Sequence, residues 1–437
     1  MISADFGYDR ACEYIKASAP LGSRPGLERI KDLCALLGDP QDRLRIIHVA
    51  GTNGKGSTAC MIASVLSAAG LNTGMYYSPA LTGIRDHYRI NGELISEEDY
   101  ALCVAAVADA NEKLKKETGE SATQFELETA LAFVWFAEKK CDIVILECGM
   151  GGTYDATNIV KNKLCCVITS VSFDHMQYLG RTLAEIAAHK AGVITSNCPV
   201  IAFSDPKEVI SVMEEKCRRT GSRLYTVARG SIECVNDFPV GQKISYEEFS
   251  DVTISLAGTF QAENAALALR AISVLNEDHL IEGVSIDEDA VRSGLRNVYW
   301  PFRFECISVD PLVFVDGAHN ADAAVKLWQT ADTYLEGYKI ILVLGIYADK
   351  EYEKVTSILA GLAETVFTVA TPNDKRALPA DKLAECARRY CNDVISCDSI
   401  EEAYTRSRAC ITSGERACII ACGSLAYLNE FCNIVRG

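Results

Sequence analysis

The sequence predicts an α/β protein: a doubly wound, mostly parallel sheet, followed by a smaller Rossmann-like α/β domain. Three observations predict it. Short apolar runs of strand length alternate with helical patterns from residue 44 to residue 203. The first run, at 46–50, breaks at Gly51 into a glycine-rich turn and then a helical stretch. Around Val298-Tyr-Trp-Pro301 the alternation restarts, with apolar runs at 312–315, 340–344, 365–370, 393–397 and 417–421. These place a domain boundary between residues 1–297 and 298–437, in keeping with domains of roughly 150 residues each.

Taken in order, residues 8–38 read as helices broken at Gly22-Ser-Arg-Pro-Gly26. After the loop and helix of 51–69, a second short strand at 72–77 ends at Ser78-Pro79. The segment on to Gly92 reads as irregular and carries Arg85, Asp86, His87 and Arg89. Helices follow at 97–117 and 126–140, the second opened by Thr123 with Glu126 three residues on, a capping box. A buried strand at 141–146 ends at Glu147, with Gly149, Gly151, Gly152 and Asp155-Ala-Thr-Asn158 after it. The run at 164–171 repeats this and ends in Ser172-Phe-Asp-His175. A helix with Glu185, His189 and Lys190 is next, then a strand at 199–203, a β-rich stretch and a helix after Gln261.

The net charge of −16 argues against nucleic acid or an anionic membrane as a partner. No apolar run reaches 18 residues, and the N-terminus lacks the basic and apolar regions of a signal peptide, so a cytoplasmic protein is expected. The 19 cysteines include no C-x-x-C pair and fall largely on apolar faces, which reads as reduced, structural thiols.

The chemistry begins at residues 51–58. Gly51-Thr-Asn-Gly-Lys-Gly-Ser-Thr58 follows a strand and opens a helix, the setting in which backbone N–H groups and a helix N-terminus cradle phosphate. The strict G-x-x-x-x-G-K-[ST] pattern is not met, because Val49 stands at its first position and Gly56 separates Lys55 from Ser57. Glu147 and His175 each follow a strand of the same domain, where doubly wound folds place their sites. With phosphate oxygens and water, they suffice for Mg²⁺. Lys190 sits among Ile186, Ala187, Ala191 and Val193. It reads either as a lysine with its stem on apolar surface and its amine in water, or as a buried amine of lowered pKa able to add CO₂. In the second domain Arg303 precedes a strand that ends in Asp316-Gly-Ala-His-Asn320, and Asp349-Lys350 and Arg376 lie past later strands, placed to hold a carboxylate-rich substrate.

The ordered set resembles the folylpolyglutamate synthase/dihydrofolate synthase family of the Mur ligase superfamily. It comprises His48-Val-Ala-Gly-Thr-Asn-Gly-Lys-Gly-Ser57, Ser78-Pro79, Asn91-Gly92, Phe125-Glu126 and Leu146-Glu-Cys-Gly-Met-Gly-Gly152 with Asp155-Ala-Thr-Asn158. Asp174-His175, His189-Lys-Ala-Gly192, Gln261 with Asn264, Asp316-Gly-Ala-His-Asn320, Ala348-Asp-Lys350 and Arg376-Ala-Leu-Pro379 continue it to the second domain. The resemblance implies a Mur-ligase-like fold and an ATP-dependent amide ligase. It would add L-glutamate to a folate, to dihydropteroate or to both, through an acyl phosphate. It assigns ATP to Gly51, Thr52, Asn53, Gly54, Lys55, Gly56, Ser57, Thr58, Asn264, Arg303 and Asp316, and Mg²⁺, two ions, to Ser78, Glu147 and His175. It makes Lys190 a carbamylated lysine and sets His319 beside the nucleotide contacts. It also implies a monomer acting on small molecules. Ala80, Asp86-His87, Thr153, Phe260 and Ala321 depart from the family's usual residues, mostly on the presumed pterin side. Two other readings stay open: a P-loop ATPase switch, and a Mur-type ligase for another carboxylate.

Overall fold

The computed structural model describes residues 6–19, 22, 24, 26–236, 241–372, 375–412 and 414–437. The first five residues of the N-terminal stretch read above, and Ser23 and Pro25 of the Gly-Ser-Arg-Pro-Gly break, lie outside the described residues. Contacts group the chain into two units: Met1–Ile232 with Tyr246–Phe249 and Asn264–Val298, and Glu233–Ser245 with Ser250–Glu263 and Tyr299–Gly437.

The first unit is built on strands β1 (Ile46–Ala50), β2 (Thr73–Tyr76), β3 (Tyr88–Ile90), β4 (Glu93–Leu94), β5 (Ile143–Glu147), β6 (Lys163–Ile168), β7 (Val200–Phe203) and β8 (Leu224–Val227). They form one sheet in the order β4-β3-β2-β5-β1-β6-β7-β8. From β2 to β8 every neighbouring pair is parallel, with Tyr76 opposite Leu146, Val49 opposite Glu147 and Ala50 opposite Ile168. Helices cover a parallel sheet on both faces, so its central strands are apolar throughout rather than alternating, and β1 and β5 are buried along their whole length. The helix Gln124–Glu138 opens with the expected capping box of Thr123 and Glu126.

The segment before Gly92 is irregular only as far as Gly83. Residues Ile84–His87 make a short 3₁₀ turn, and β3 and β4 pair antiparallel at the sheet edge around Asn91 and Gly92, both at positive φ. Edge strands this short show no usable periodicity in sequence.

Strands β9 (Glu233–Asn236), β10 (Gln242–Tyr246) and β11 (Phe249–Ile254) form a three-stranded sheet in the order β11-β10-β9. The second unit carries β12 (Glu305–Val309), β13 (Leu312–Asp316), β14 (Lys339–Leu344), β15 (Thr365–Thr368), β16 (Asp393–Ser396) and β17 (Ala417–Cys422) in the order β12-β13-β17-β14-β15-β16. All neighbours are parallel except β12, which runs antiparallel to β13. β12 is half-buried along most of its length, which hides it from an apolar-run reading. Phe304 stacks on Phe314 at 4.4 Å in this unit's core, beside Leu342, Leu344 and Ile420. All 19 cysteines are free and most are buried.

Candidate active site

The turn after β1 is held by the end of β6. Thr52 N donates to Ser170 O at 2.6 Å, and the hydroxyls of Thr169 and Ser170 donate to Asn53 O at 2.7 and 3.1 Å. Thr52 Oγ1 donates to Ser172 O and accepts from Ser172 N. Two glycines are obligatory here. A Cβ at Gly51, φ 153°, would overlap Thr169 Oγ1, and one at Gly54, φ 83°, would overlap the Asn264 side chain. Gly54 caps the helix Lys55–Ala68, whose first turn presents the backbone N–H groups that suit phosphate. Ser57 and Thr58, assigned to ATP on sequence, are both buried, and the Thr58 hydroxyl has no hydrogen-bond partner among the described residues. Asn264, on the helix Thr259–Glu277, is buried with its side chain against Gly54 of the glycine turn.

Two lysines converge on this turn. Lys55 Nζ donates to Thr52 O at 3.0 Å and lies 3.8 Å from Glu147 Oε1. Lys190, at the end of the helix Leu183–Lys190, is only 2% exposed, and its Nζ donates to Gly51 O at 2.6 Å. The surface-lysine reading of Lys190 therefore fails. Burial first, and then the charge of Lys55, brings its ammonium down from 10.5 to about 7, so a large neutral fraction exists near neutrality.

Ser78 and Glu147 leave the sheet from adjacent strands, β2 and β5, and Glu147 is nearly buried. His175 lies beyond β6, at φ 49° and 42% side-chain exposure, with its Nε2 3.8 Å from Asp174 Oδ2. Among the described residues no three His, Cys, Asp or Glu side chains form a metal cluster. Ser78 and Glu147 lie past neighbouring strands, and a hydroxyl and a carboxylate suit Mg²⁺ when phosphate oxygens and water complete the shell, whereas His175 is joined to them only by the resemblance.

A buried network missed by sequence reasoning supports the strand ends. Asp155 accepts from Met150 N at 2.8 Å, and from Thr157 N and Oγ1 at 3.1 and 2.5 Å. Thr157 Oγ1 in turn meets His48 Nε2 at 2.8 Å, and Cys148 Sγ lies 3.1 Å from the same nitrogen. Burial holds His48 well below the ordinary imidazole range and Cys148 well above that of a thiol, so both are neutral. Their motifs signalled importance but not this contact, which spans 109 residues from His48 to Thr157.

In the second unit Asp316 ends β13 and is buried. Its Oδ2 accepts from Phe304 N and its Oδ1 from Ala318 N, both at 2.8 Å. Burial raises its carboxyl to about 6 against the opposing charge of Arg303. Arg303 donates to Phe302 O at 2.9 Å from a turn in which Phe302 and Phe304 both have positive φ, and its guanidinium lies against Gly317. His319 Nδ1 lies 2.8 Å from Gly317 O. Arg303 thus sits on a turn that the hydrogen bond from Gly317 N to Phe302 O joins to the segment carrying Asp316 and His319. Arg376, by contrast, is bidentate on Asp349 and stacked over Tyr347, so that pair is not held open for a substrate carboxylate.

The Mur ligase middle domain model matches residues 49–272, and the Mur ligase glutamate ligase domain model matches residues 302–425. The dihydrofolate synthase/folylpolyglutamate synthase of Bacillus subtilis is 34% identical over 380 residues, spanning 86% of this chain and 87% of that one. The Mycobacterium tuberculosis folylpolyglutamate synthase, solved with ADP and AMPPCP, superposes with a TM-score of 0.87 at 28% identity and 98% coverage of both chains. The Escherichia coli FolC protein, solved with DHPP and ADP, gives 0.85 at 27% identity over the full length of both. Among the described residues no helix is long and apolar enough to cross a membrane. Two family models and relatives matched nearly end to end place the chain in the Mur ligase family, within its folylpolyglutamate synthase/dihydrofolate synthase branch.

Proposed function

We propose that this ligase joins L-glutamate to a folate, to dihydropteroate or to both, at the expense of ATP. The reading rests on the glycine turn with Lys55 folded over it and buried Lys190 beneath it, in a chain that aligns along nearly its whole length with folate ligases. The acceptor's carboxylate oxygen attacks the γ-phosphorus of ATP, and ADP leaves with the bonding pair, giving an acyl phosphate. The glutamate amine then attacks the acyl carbon, phosphate leaves with the C–O pair, and nitrogen gives up a proton. Lys55 and the N–H groups of the turn place positive charge beside the migrating phosphoryl group, and fixed charge of this kind supplies most of the acceleration in such transfers. Ser78, Glu147 and His175 would hold Mg²⁺, two ions by the resemblance, which neutralises phosphate charge when bound. The neutral Lys190 amine is suited to adding CO₂, with loss of a proton, to give a carbamate. Asn264, Arg303 and Asp316 are assigned to the nucleotide and His319 to the reacting groups.

Functionally, residues 1–297 are assigned ATP and folate and residues 298–437 the glutamate-ligase role, in a cytoplasmic monomer without nucleic-acid or membrane partners. The test is isotopic: acceptor labelled with ¹⁸O in its carboxylate should yield one ¹⁸O in the released phosphate. Unlabelled phosphate alongside amide product would rule out the acyl phosphate.

A further inference from the structure

A turn that gathers N–H groups on phosphate sends its carbonyls elsewhere, and each carbonyl still needs a donor. Gly51 O takes Lys190 Nζ, Thr52 O takes Lys55 Nζ, and Gly54 O takes Thr58 N of the helix Lys55–Ala68. The proposed reaction gives both lysines a role. It gives none to the two hydroxyls on Asn53 O, from Thr169 at 2.7 Å and Ser170 at 3.1 Å, which fill both lone pairs of that carbonyl. Both residues stand just beyond β6, and Thr169 is buried. Ser170 Oγ also accepts from Asn53 N at 3.3 Å, so one side chain holds both polar backbone groups of Asn53.

The Asn53–Gly54 peptide is the one in this turn most easily reversed. Rotating its plane changes only ψ of Asn53 and φ of Gly54. Gly54 stands at φ 83°, and glycine takes either sign of φ at little cost. In a trans peptide C=O and N–H point in opposite directions, so Asn53 O held against the end of β6 aims Gly54 N–H away from it. Thr52 N and Asn53 N, by contrast, both face β6, at Ser170 O and Ser170 Oγ. Gly54 N–H is thus set to act with the N–H groups of the first helical turn, which have no acceptor within the helix. A reversed plane would aim a carbonyl oxygen at the phosphate instead and repel it.

We infer that Thr169 and Ser170 are positioning residues for ATP, their hydroxyls pinning the Asn53–Gly54 peptide so that Gly54 N–H faces the phosphates. This rests on the reading of the glycine turn as the ATP site of the ligase. The chain contains two Asn-Gly pairs, Asn53-Gly54 and Asn91-Gly92. Full-length protein carrying ¹³C-carbonyl asparagine and ¹⁵N-glycine therefore gives two amide signals in a carbonyl-filtered NMR spectrum, and Asn91→Asp removes the second. AMPPCP with Mg²⁺ should move the Gly54 amide proton downfield in wild type and leave that of Gly92 in place. In Thr169→Val/Ser170→Ala the Gly54 shift should be lost. Its Kd for AMPPCP, by calorimetry, should rise about 10- to 30-fold, the effect of two neutral hydrogen bonds on the population of the binding-competent turn. Thr169→Ser keeps the donor and should stay within about twofold of wild type. A double variant that binds as wild type does, a Thr169→Ser loss as large as the double variant's, or an unmoved Gly54 signal in wild type with AMPPCP bound overturns the inference and leaves the nucleotide site standing. A wild type that binds no AMPPCP overturns the nucleotide reading and this inference with it. Should the double variant fail to fold, Ser170→Ala alone decides: Kd should rise about 3- to 10-fold, and an unchanged Kd refutes the positioning role.

Discussion

Replacing Lys190 with methionine should stabilise the protein, most at low pH and progressively less as pH rises. In the fold this ammonium titrates near 7 rather than 10.5, chiefly through burial and then through Lys55. Below about pH 7 the amine is charged in both states, and the folded state carries the whole desolvation cost. That cost is about 5 kcal/mol, the distance from 10.5 down to about 7 at 1.36 kcal/mol per pH unit. Between about 7 and 10.5 the unfolded chain binds a proton that the folded chain does not. Wild-type stability therefore rises by about 1.4 kcal/mol per pH unit relative to a chain without the amine. The methionine variant has no such titration, so its advantage should shrink by about 2.7 kcal/mol from pH 7 to pH 9. Loss of the hydrogen bond to Gly51 O offsets that advantage by about 1 kcal/mol at every pH. Urea unfolding of both proteins, in CO₂-free buffer without nucleotide, measures the difference directly. An advantage that is flat across this range, or grows with pH, would refute the burial of a titrating Lys190 amine.

If Lys55, 3.8 Å from Glu147 at the glycine turn, has the role proposed for it beside the transferred phosphoryl group, Lys55→Met should lower kcat for ATP-dependent ligation by about 10²- to 10³-fold, read as phosphate release. Gly54→Ala should cost about 1–2 kcal/mol in unfolding free energy and weaken ATP binding, since the left-handed turn and the Asn264 side chain both oppose a Cβ. Arg303→Ala should move the Asp316 carboxyl above its value of about 6, because the guanidinium is the charge that holds it down; NMR titration of that carboxyl would show the rise, and an unmoved pKa would dissociate the two. Chelation of Mg²⁺ should abolish turnover, because the proposed transfer relies on the ion to neutralise phosphate charge, and turnover that survives chelation would contradict that role.

The parallel strands and the phosphate turn were legible because each is written locally. β1, β5 and β14 are continuous apolar runs, and the glycine turn sits directly between β1 and its helix. β3, β4 and β12 were not legible, being two- to five-residue strands at or next to a sheet edge with few buried side chains. Lys190 shows the limit most clearly. Its neighbours in sequence fit a lysine on the surface as well as one inside, and only the approach of Gly51, 139 residues away, decides for the interior. The same distance problem hid the Asp155–Thr157–His48 network and the pairing of Arg376 with Asp349. The residues assigned to ATP and metal became visible as a set only through the family motifs, because no single position among them departs from ordinary turn or strand-end chemistry.

Glutamate ligation itself is best tested by the mass of the product formed by the purified protein with ATP, Mg²⁺ and L-glutamate, with dihydropteroate and tetrahydrofolate offered in separate reactions and phosphate release followed in parallel. At least one acceptor should gain a glutamyl residue, with one phosphate released per amide formed. ATP hydrolysis without a glutamylated product from either acceptor would contradict the assignment.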